Sequence, residues 1–202
     1  MPKDKTASHV KVMAAAREEF LEYGFEKASM RRVGDRCDFT AAGLYRHCRD
    51  KADLFDQLVS PAVERIHAWM NTHLSRYLTA VRDEGNLQWQ DSWIDMMREV
   101  VYPHMDEYHL LLTCASGTKY ECFLHDLTQT AQDQMLQFLP TLRKKGLKIR
   151  EISPTDLHLL FSAYVTALFE PVIHRYPPDE AARCLETVEA FFLPGWKSLL
   201  GF

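Results

Sequence analysis

Residues 39–51 read FTAAGLYRHCRDK. Three small residues follow a threonine, and then Tyr45, Arg46, His47, Arg49 and Lys51 crowd into a short stretch. A segment built only to pack does not combine a side-chain-poor start with so many long polar and cationic groups. Thr40 is a natural helix N-cap, and counting from it puts Phe39 at N′ and Leu44 at N4, the spacing of a hydrophobic staple. Ala41, Ala42 and Gly43 leave the first turn slender, so that its backbone can approach a groove floor closely.

Upstream, Ser29 caps a short helix that carries Met30, Val33 and Cys37 inward and stops near Asp38. A longer helix precedes it, from Thr6 or Ser8 to Tyr23. It has Val12, Met13, Ala16 and Phe20 on one face and Gly24 where a left-handed C-terminal cap belongs. Downstream, Asp50 caps a fourth helix with Asp53 at N3; Leu54, Phe55, Leu58, Ile66, Trp69 and Met70 continue its inward face, and Pro61 is a candidate kink.

Two short helices separated by a tight turn, after a longer supporting helix, fit a helix-turn-helix. They fit equally a small buried helix in any all-α protein. Charge placement separates the two. Arg31 and Arg32 fall at N2 and N3 of the second helix and Lys51 at N1 of the fourth, where a cation opposes the helix dipole at a cost of roughly 0.3–1 kcal/mol each. Two helix starts carrying such residues make sense if DNA phosphates occupy those ends.

Composition is that of a soluble globular chain: 202 residues, 47% hydrophobic and 26% charged, with 8 Gly and 9 Pro. The net charge of −4 is uneven, +3 over residues 1–51 and −7 over 52–202, so only the basic head suits a polyanion. Residues 1–8, MPKDKTAS, lack the apolar core of a secretory signal, and the longest uncharged run, Leu157 to Phe169, is too short to span a bilayer. These features predict a cytoplasmic protein with no membrane partner. Cys37, Cys48, Cys114, Cys122 and Cys184 form an odd, scattered set without a CxxC pair, which argues against a disulfide framework or zinc knuckle.

The run MAAAREEFLEYGFEKASMRRVGDRCDFTAAGLYRHCRDKADLF resembles the DNA-binding domain of the tetracycline-repressor (TetR) family of transcriptional regulators. The resemblance covers roughly residues 10–55, including the Ser29-Met30 helix start and GLYRH…DK. It implies a three-helix head, residues 1–50, with the 40–48 helix in the major groove, and an all-helical body, residues 51–202, that dimerises and binds an effector. Carried over by position, Thr40, Ala41, Ala42, Gly43 and Tyr45 face the groove, Lys51 and His47 resemble phosphate contacts, and Leu44 and Val33 are head core. Three residues depart from the pattern: Ala41 replaces a frequent lysine, Asp38 a turn glycine and Cys48 a frequent phenylalanine. The first shifts recognition toward Arg46, the second still tolerates left-handed backbone, and the third predicts a looser head core.

Further helices are expected at 87–102, 103–114, 120–145, 154–176 and 178–200, the last interrupted at Pro194-Gly195, with a linker at RDEGN (82–86) and a loop at ASGTK. In the 154–176 helix, apolar side chains follow i, i+3, i+4, i+7 steps and small residues fill much of the remaining surface, the signature of burial on both sides. With the stripe of the final helix this predicts a homodimer packed as four helices through Ala163, Ala167, Leu185, Val188 and Phe192; one large monomeric core is the alternative. Trp69, Trp89, Trp93, Met97, Tyr102, His104, Tyr108, Phe123, His125 and Phe161 are candidates to line an effector cavity, apolar with a few polar tips, though such residues also build plain cores.

No nucleophile elbow, phosphate loop or paired-carboxylate constellation stands out, so no catalytic residues and no cofactor are expected. His104 with His109 and His67 with His73 miss the i, i+4 step of a helical metal pair; Cys122 and His125 at i, i+3 are the one candidate, and no metal is expected. The reading is an all-α regulator that binds a palindromic operator in double-stranded DNA, most simply a repressor released by a small hydrophobic or aromatic effector. The alternatives are a metal- or thiol-sensing regulator of the same fold, and a helical small-molecule carrier or enzyme.

Overall fold

The computed structural model describes residues 5–83, 92–144, 146 and 148–200, and every regular element among them is helical. In chain order these are α1 (Lys5–Lys27), α2 (Met30–Cys37), α3 (Ala41–Leu44), α4 (Lys51–Asp83) and α5 (Ser92–Met96). A π-turn at Met97–Val101 and a 3-10 turn at Tyr102–His104 follow, then α6 (Met105–Thr113), α7 (Phe123–Lys144), α8 (Pro154–Ile173) and α9 (Pro178–Leu200). Two compact units result. One is Met1–Glu64 with Asp106–Glu121; the other is Arg65–Met105 with Cys122–Phe202. The first unit thus joins residues 106–121 to the N-terminal helices.

The first unit is organised around α1. Val12, Ala16 and Phe20 are fully buried, with Val33, Leu44, Leu54, Phe55 and Val59 completing the core. Phe20, Phe25 and Phe55 meet ring to ring at 5.0–6.0 Å. Tyr108 and Leu111, from α6, are buried too, and the Tyr108 hydroxyl donates to the Ala62 carbonyl at 2.8 Å. Gly24 breaks α1 with φ +71°, as its cap position requires.

Capping follows the sequence at most helix starts. The Gly43 N–H reaches the Thr40 hydroxyl at 3.2 Å, Asp53 N–H reaches Asp50 at 2.7 Å, and Asp156 N–H reaches the Ser153 hydroxyl at 3.0 Å. Ser29 differs: its side chain caps nothing, and its own N–H donates to Glu19 at 2.9 Å. Asp38 adopts the left-handed conformation, φ 59° and ψ 36°, that the turn demands. The recognition helix is shorter than expected. Only Ala41–Leu44 is α-helical, and Tyr45–His47 continue as turn.

In the second unit α8 packs against α7 and α9. By length and composition α8 could cross a membrane, but Leu157, Phe161, Tyr164, Val165, Leu168 and Phe169 are buried, which is how a core helix sits. Helix α9 runs through Pro194 and Gly195 without the expected interruption. The expected 87–102 helix is described from Ser92 and changes to π and 3-10 geometry from Met97; its first turns and most of the 82–86 linker lie outside the described residues.

Candidate nucleic-acid interface

The geometry of the turn between α2 and α3 depends on a residue that the sequence reading passed over. A Cβ on Gly34 would stand 2.7 Å from the Phe39 carbonyl oxygen, so the chain after α2 folds back across this glycine. Its signal was a glycine inside a short amphipathic helix, between Val33 and Asp35. Gly43 has a related explanation. A Cβ there would lie 3.0 Å from the Phe39 ring, so the small side chain serves packing within the turn and not only approach to a groove.

Beneath α2, Glu19 is fully buried. It receives the Ser29 N–H, Arg32 Nε at 2.7 Å and Arg36 Nε at 3.3 Å. Burial pushes its carboxyl up, but the Arg32 bond, the Ser29 N–H and the charges of Arg32 and Arg36 outweigh that and hold it below the usual carboxylate range. Arg32 also lies over the Tyr23 ring at 4.2 Å and donates to the Lys27 carbonyl; Arg36 reaches Glu18 and Glu22 as well. Both arginines are thus occupied inside the head.

Lys51 is occupied too. Its ammonium donates to the carbonyls of Phe25 at 2.7 Å, Glu26 at 3.0 Å and Ala28 at 3.2 Å, and stands 4.5 Å from the centre of the Phe25 ring. The unfavourable α4 dipole is offset by the carbonyl-rich end of α1, since a hydrogen bond to a charged group contributes about 1.5–3 kcal/mol. Arg49 is tied to Asp53 at 3.1 Å, and the Arg49 N–H and guanidinium hold that carboxyl below its ordinary value.

Of the arginines around α2 and α3, Arg31 and Arg46 remain outward. The Arg31 side chain is 90% exposed and meets Asp35 only at 4.0 Å. Arg46 is exposed, and its guanidinium has no partner among the described residues. Tyr45 is 54% exposed beside it, and Thr40 and Ala42 are exposed as well. Ser29 is half-buried, and Ala41 is described here only by its place in α3. His47 is half-buried between His9 at 5.7 Å and Phe39 at 5.8 Å, ring to ring, so it is held as well as displayed. The departure at Cys48 leaves it buried under Leu44, and burial pushes its thiol up.

The expected effector residues do not all fall together. Tyr108 belongs to the first unit and is core there, because its hydroxyl is satisfied by Ala62. Trp89 lies outside the described residues. In the second unit Trp93 stands 6.4 Å from Phe161 and 6.3 Å from Tyr164, ring centre to ring centre. Phe161 and Tyr164 in turn meet Trp196 at 5.1 and 6.2 Å, and Tyr164 meets Phe192 at 4.9 Å. Tyr164 and Trp196 were missed as members of this group because their contacts cross between helices and leave no periodic trace. Met97 and Phe123 are buried, and His104 is half-buried. Tyr102 points its hydroxyl at the Ala181 carbonyl, 3.4 Å away, and burial pushes that hydroxyl up to about 12. His125 is exposed, with its ring 5.7 Å from that of His158. Trp69 stacks on His73 at 3.4 Å, and its indole N–H is buried with no acceptor among the described residues.

Of the expected dimer residues, Ala163 is exposed and Ala167, Val188 and Phe192 are half-buried. Leu185 is fully buried within the single chain. Its helix, α9, packs against α8. Among the described residues no three His, Cys, Asp or Glu side chains converge, and no disulfide joins any of the cysteines.

A short helix pair crossing at a glycine, with an exposed tyrosine and arginine in the turn that follows the second helix, has the form of a helix-turn-helix, an arrangement that DNA-binding regulators use. Residues 12–58 match the profile of the bacterial regulatory proteins of the tetR family. NalD, the secondary repressor of the MexAB-OprM multidrug efflux pump in Pseudomonas aeruginosa, shares the fold with a TM-score of 0.50 at 16% identity, over 93% of this chain and 97% of that one. A putative TetR-family transcriptional regulator from Mesorhizobium loti MAFF303099 scores 0.38 at 17% identity, over 93% and 98%. Apo AibR scores 0.43 at 19% identity, over 91% and 97%. No curated protein matches the chain.

Proposed function

We propose that the protein is a cytoplasmic, homodimeric repressor that binds a palindromic DNA operator and leaves it when a small hydrophobic molecule binds the second unit. The observation that carries the DNA reading is the outward set Tyr45, Arg46 and Arg31 on a braced helix-turn-helix. Tyr45 and Arg46 read base edges, and Arg31 contacts a phosphate at the start of α2. Repression is supported by the likeness in fold to NalD, itself a repressor.

Dimerisation is supported by what the single chain leaves uncovered. Leu159 on α8 is 67% exposed and Phe191 on α9 is 76% exposed; Ala163 and Thr166 continue the α8 face at helical spacing. Large apolar side chains on neighbouring long helices are the kind of surface that a second copy covers. Two heads then span half-sites about 34–36 Å apart.

The effector reading rests on the rings of Trp93, Phe161, Tyr164, Phe192 and Trp196 and on the buried Trp69 indole N–H. They favour a flat, mostly apolar molecule carrying one hydrogen-bond acceptor. Release requires that it prefer the state unsuited to DNA, since a ligand indifferent to the two states shifts nothing. The test is to select operator duplexes from a random pool and titrate the complex with aromatic acids, hydrophobic amines and bile-acid-like molecules. A hit releases the DNA, and Trp93→Ala weakens that hit. If every compound that quenches tryptophan fluorescence leaves operator affinity unchanged, effector-driven release is wrong.

A further inference from the structure

We propose that Lys51 is a positioning residue for DNA binding, acting through the α1–α2 turn, and that it makes no phosphate contact of its own. A lysine ammonium has three N–H donors, and here three carbonyl oxygens, those of Phe25, Glu26 and Ala28, stand within 3.2 Å of it. No donor is left for a phosphate oxygen. Lys51 is half-buried, and its ammonium lies over the Phe25 ring.

The site of this contact explains why it matters. Residues 24–29 leave α1 through the left-handed Gly24 and lead directly to Ser29 and Arg31 at the start of α2. The stretch is braced at several points: Phe25 N–H donates to the Cys114 carbonyl at 2.9 Å, Ala28 N–H to the Gly24 carbonyl at 3.1 Å, and Ser29 N–H to Glu19. Lys51 gathers the carbonyls of the same stretch. It is also the first residue of α4, just beyond the recognition segment, so its ammonium joins the end of α3's turn to the start of α2. The lysine therefore fixes the direction from which Arg31 meets DNA.

Lys51→Met keeps the stem and removes the ammonium; Lys51→Arg restores a cation with several donors. In full-length protein, Lys51→Met should lower affinity for the selected operator by roughly tenfold, the loss of one charge-assisted set of bonds, while the slope of log affinity against log salt stays at the wild-type value. Amide hydrogen exchange should rise at Phe25, Ala28 and Ser29 and not across α7–α9, and Lys51→Arg should recover both affinity and protection. Arg31→Ala is the contrast: its slope should shrink by about one unit. If Lys51→Met does not fold in the absence of DNA, that supports the brace, because a residue held only by phosphate has no part in the free protein. A slope reduced by about one unit, with exchange at residues 25–29 unchanged, would place Lys51 on the phosphate backbone and overturn the proposal.

Discussion

Gly34 and Phe39 cross so closely that a single methyl group on the glycine would lie 2.7 Å from the Phe39 carbonyl oxygen. The obstacle is backbone, which cannot swing aside as a flexible side chain can. Gly34→Ala should destabilise the protein by about 1–3 kcal/mol, the usual range for overpacking, and should displace α3 from α2. Urea unfolding measures the first effect, and loss of operator binding in still-folded protein measures the second. A variant of wild-type stability and affinity would mean that the turn is looser than its geometry indicates.

Acid should loosen the head through Glu19. Its carboxyl is held below the ordinary value, so the unfolded chain binds its proton more readily than the folded one does. The stabilisation is complete above the unfolded value near 4.5 and is lost as pH falls through the depressed folded value. Asp56 adds to the same trend, because Lys119 at 2.6 Å and the Tyr120 hydroxyl hold its carboxyl down. Glu19→Gln should lower stability at pH 7 and flatten its fall between about pH 5 and pH 2. An identical pH profile for the variant would remove Glu19 as the sensitive group.

Base reading and backbone anchoring should separate at adjacent residues. Replacing Arg46 or Tyr45 with Ala should cost roughly 1–3 kcal/mol on the operator and relax preference at particular positions. Competition against duplexes substituted one base pair at a time provides the measurement. Equal loss on operator and random DNA would reassign that residue to the phosphates.

Two substitutions should distinguish the subunit contact from the subunit core. Phe191→Glu, on an exposed face, should yield folded monomers, whereas Leu185→Asp buries an unpaired charge and should unfold the chain. Sedimentation combined with circular dichroism tells them apart. A Phe191→Glu variant that remains dimeric at micromolar concentration would move the interface elsewhere.

The sequence made the local devices legible: Thr40, Asp50 and Ser153 cap as their residue types require, and Asp38 accepts the left-handed turn. These are contacts within a few residues, which spacing can show. It did not make legible what became of the cations. Arg32 and Lys51 look alike as charges near helix starts, but their partners, Glu19 and the carbonyls of Phe25, Glu26 and Ala28, are brought to them by the fold. Leu185 and Ala163 lie on apolar or small stripes of the same kind, and only the packing of α8 on α9 decides which is covered. The joining of residues 106–121 to the head is a long-range contact of the same sort, with no trace in periodicity.

Reading of DNA sequence by the outward Tyr45–Arg46 surface underlies the other roles proposed for the head. It is tested most directly by titrating wild type and Arg46→Ala on two duplexes at one salt concentration, the selected operator and a scrambled copy of equal length and composition. Wild type should prefer the operator by roughly 10³-fold or more, and Arg46→Ala should lose about 10–100-fold of that preference while its affinity for the scrambled duplex changes little. Equal wild-type affinity for the two duplexes, or an unchanged preference in the variant, would contradict the account.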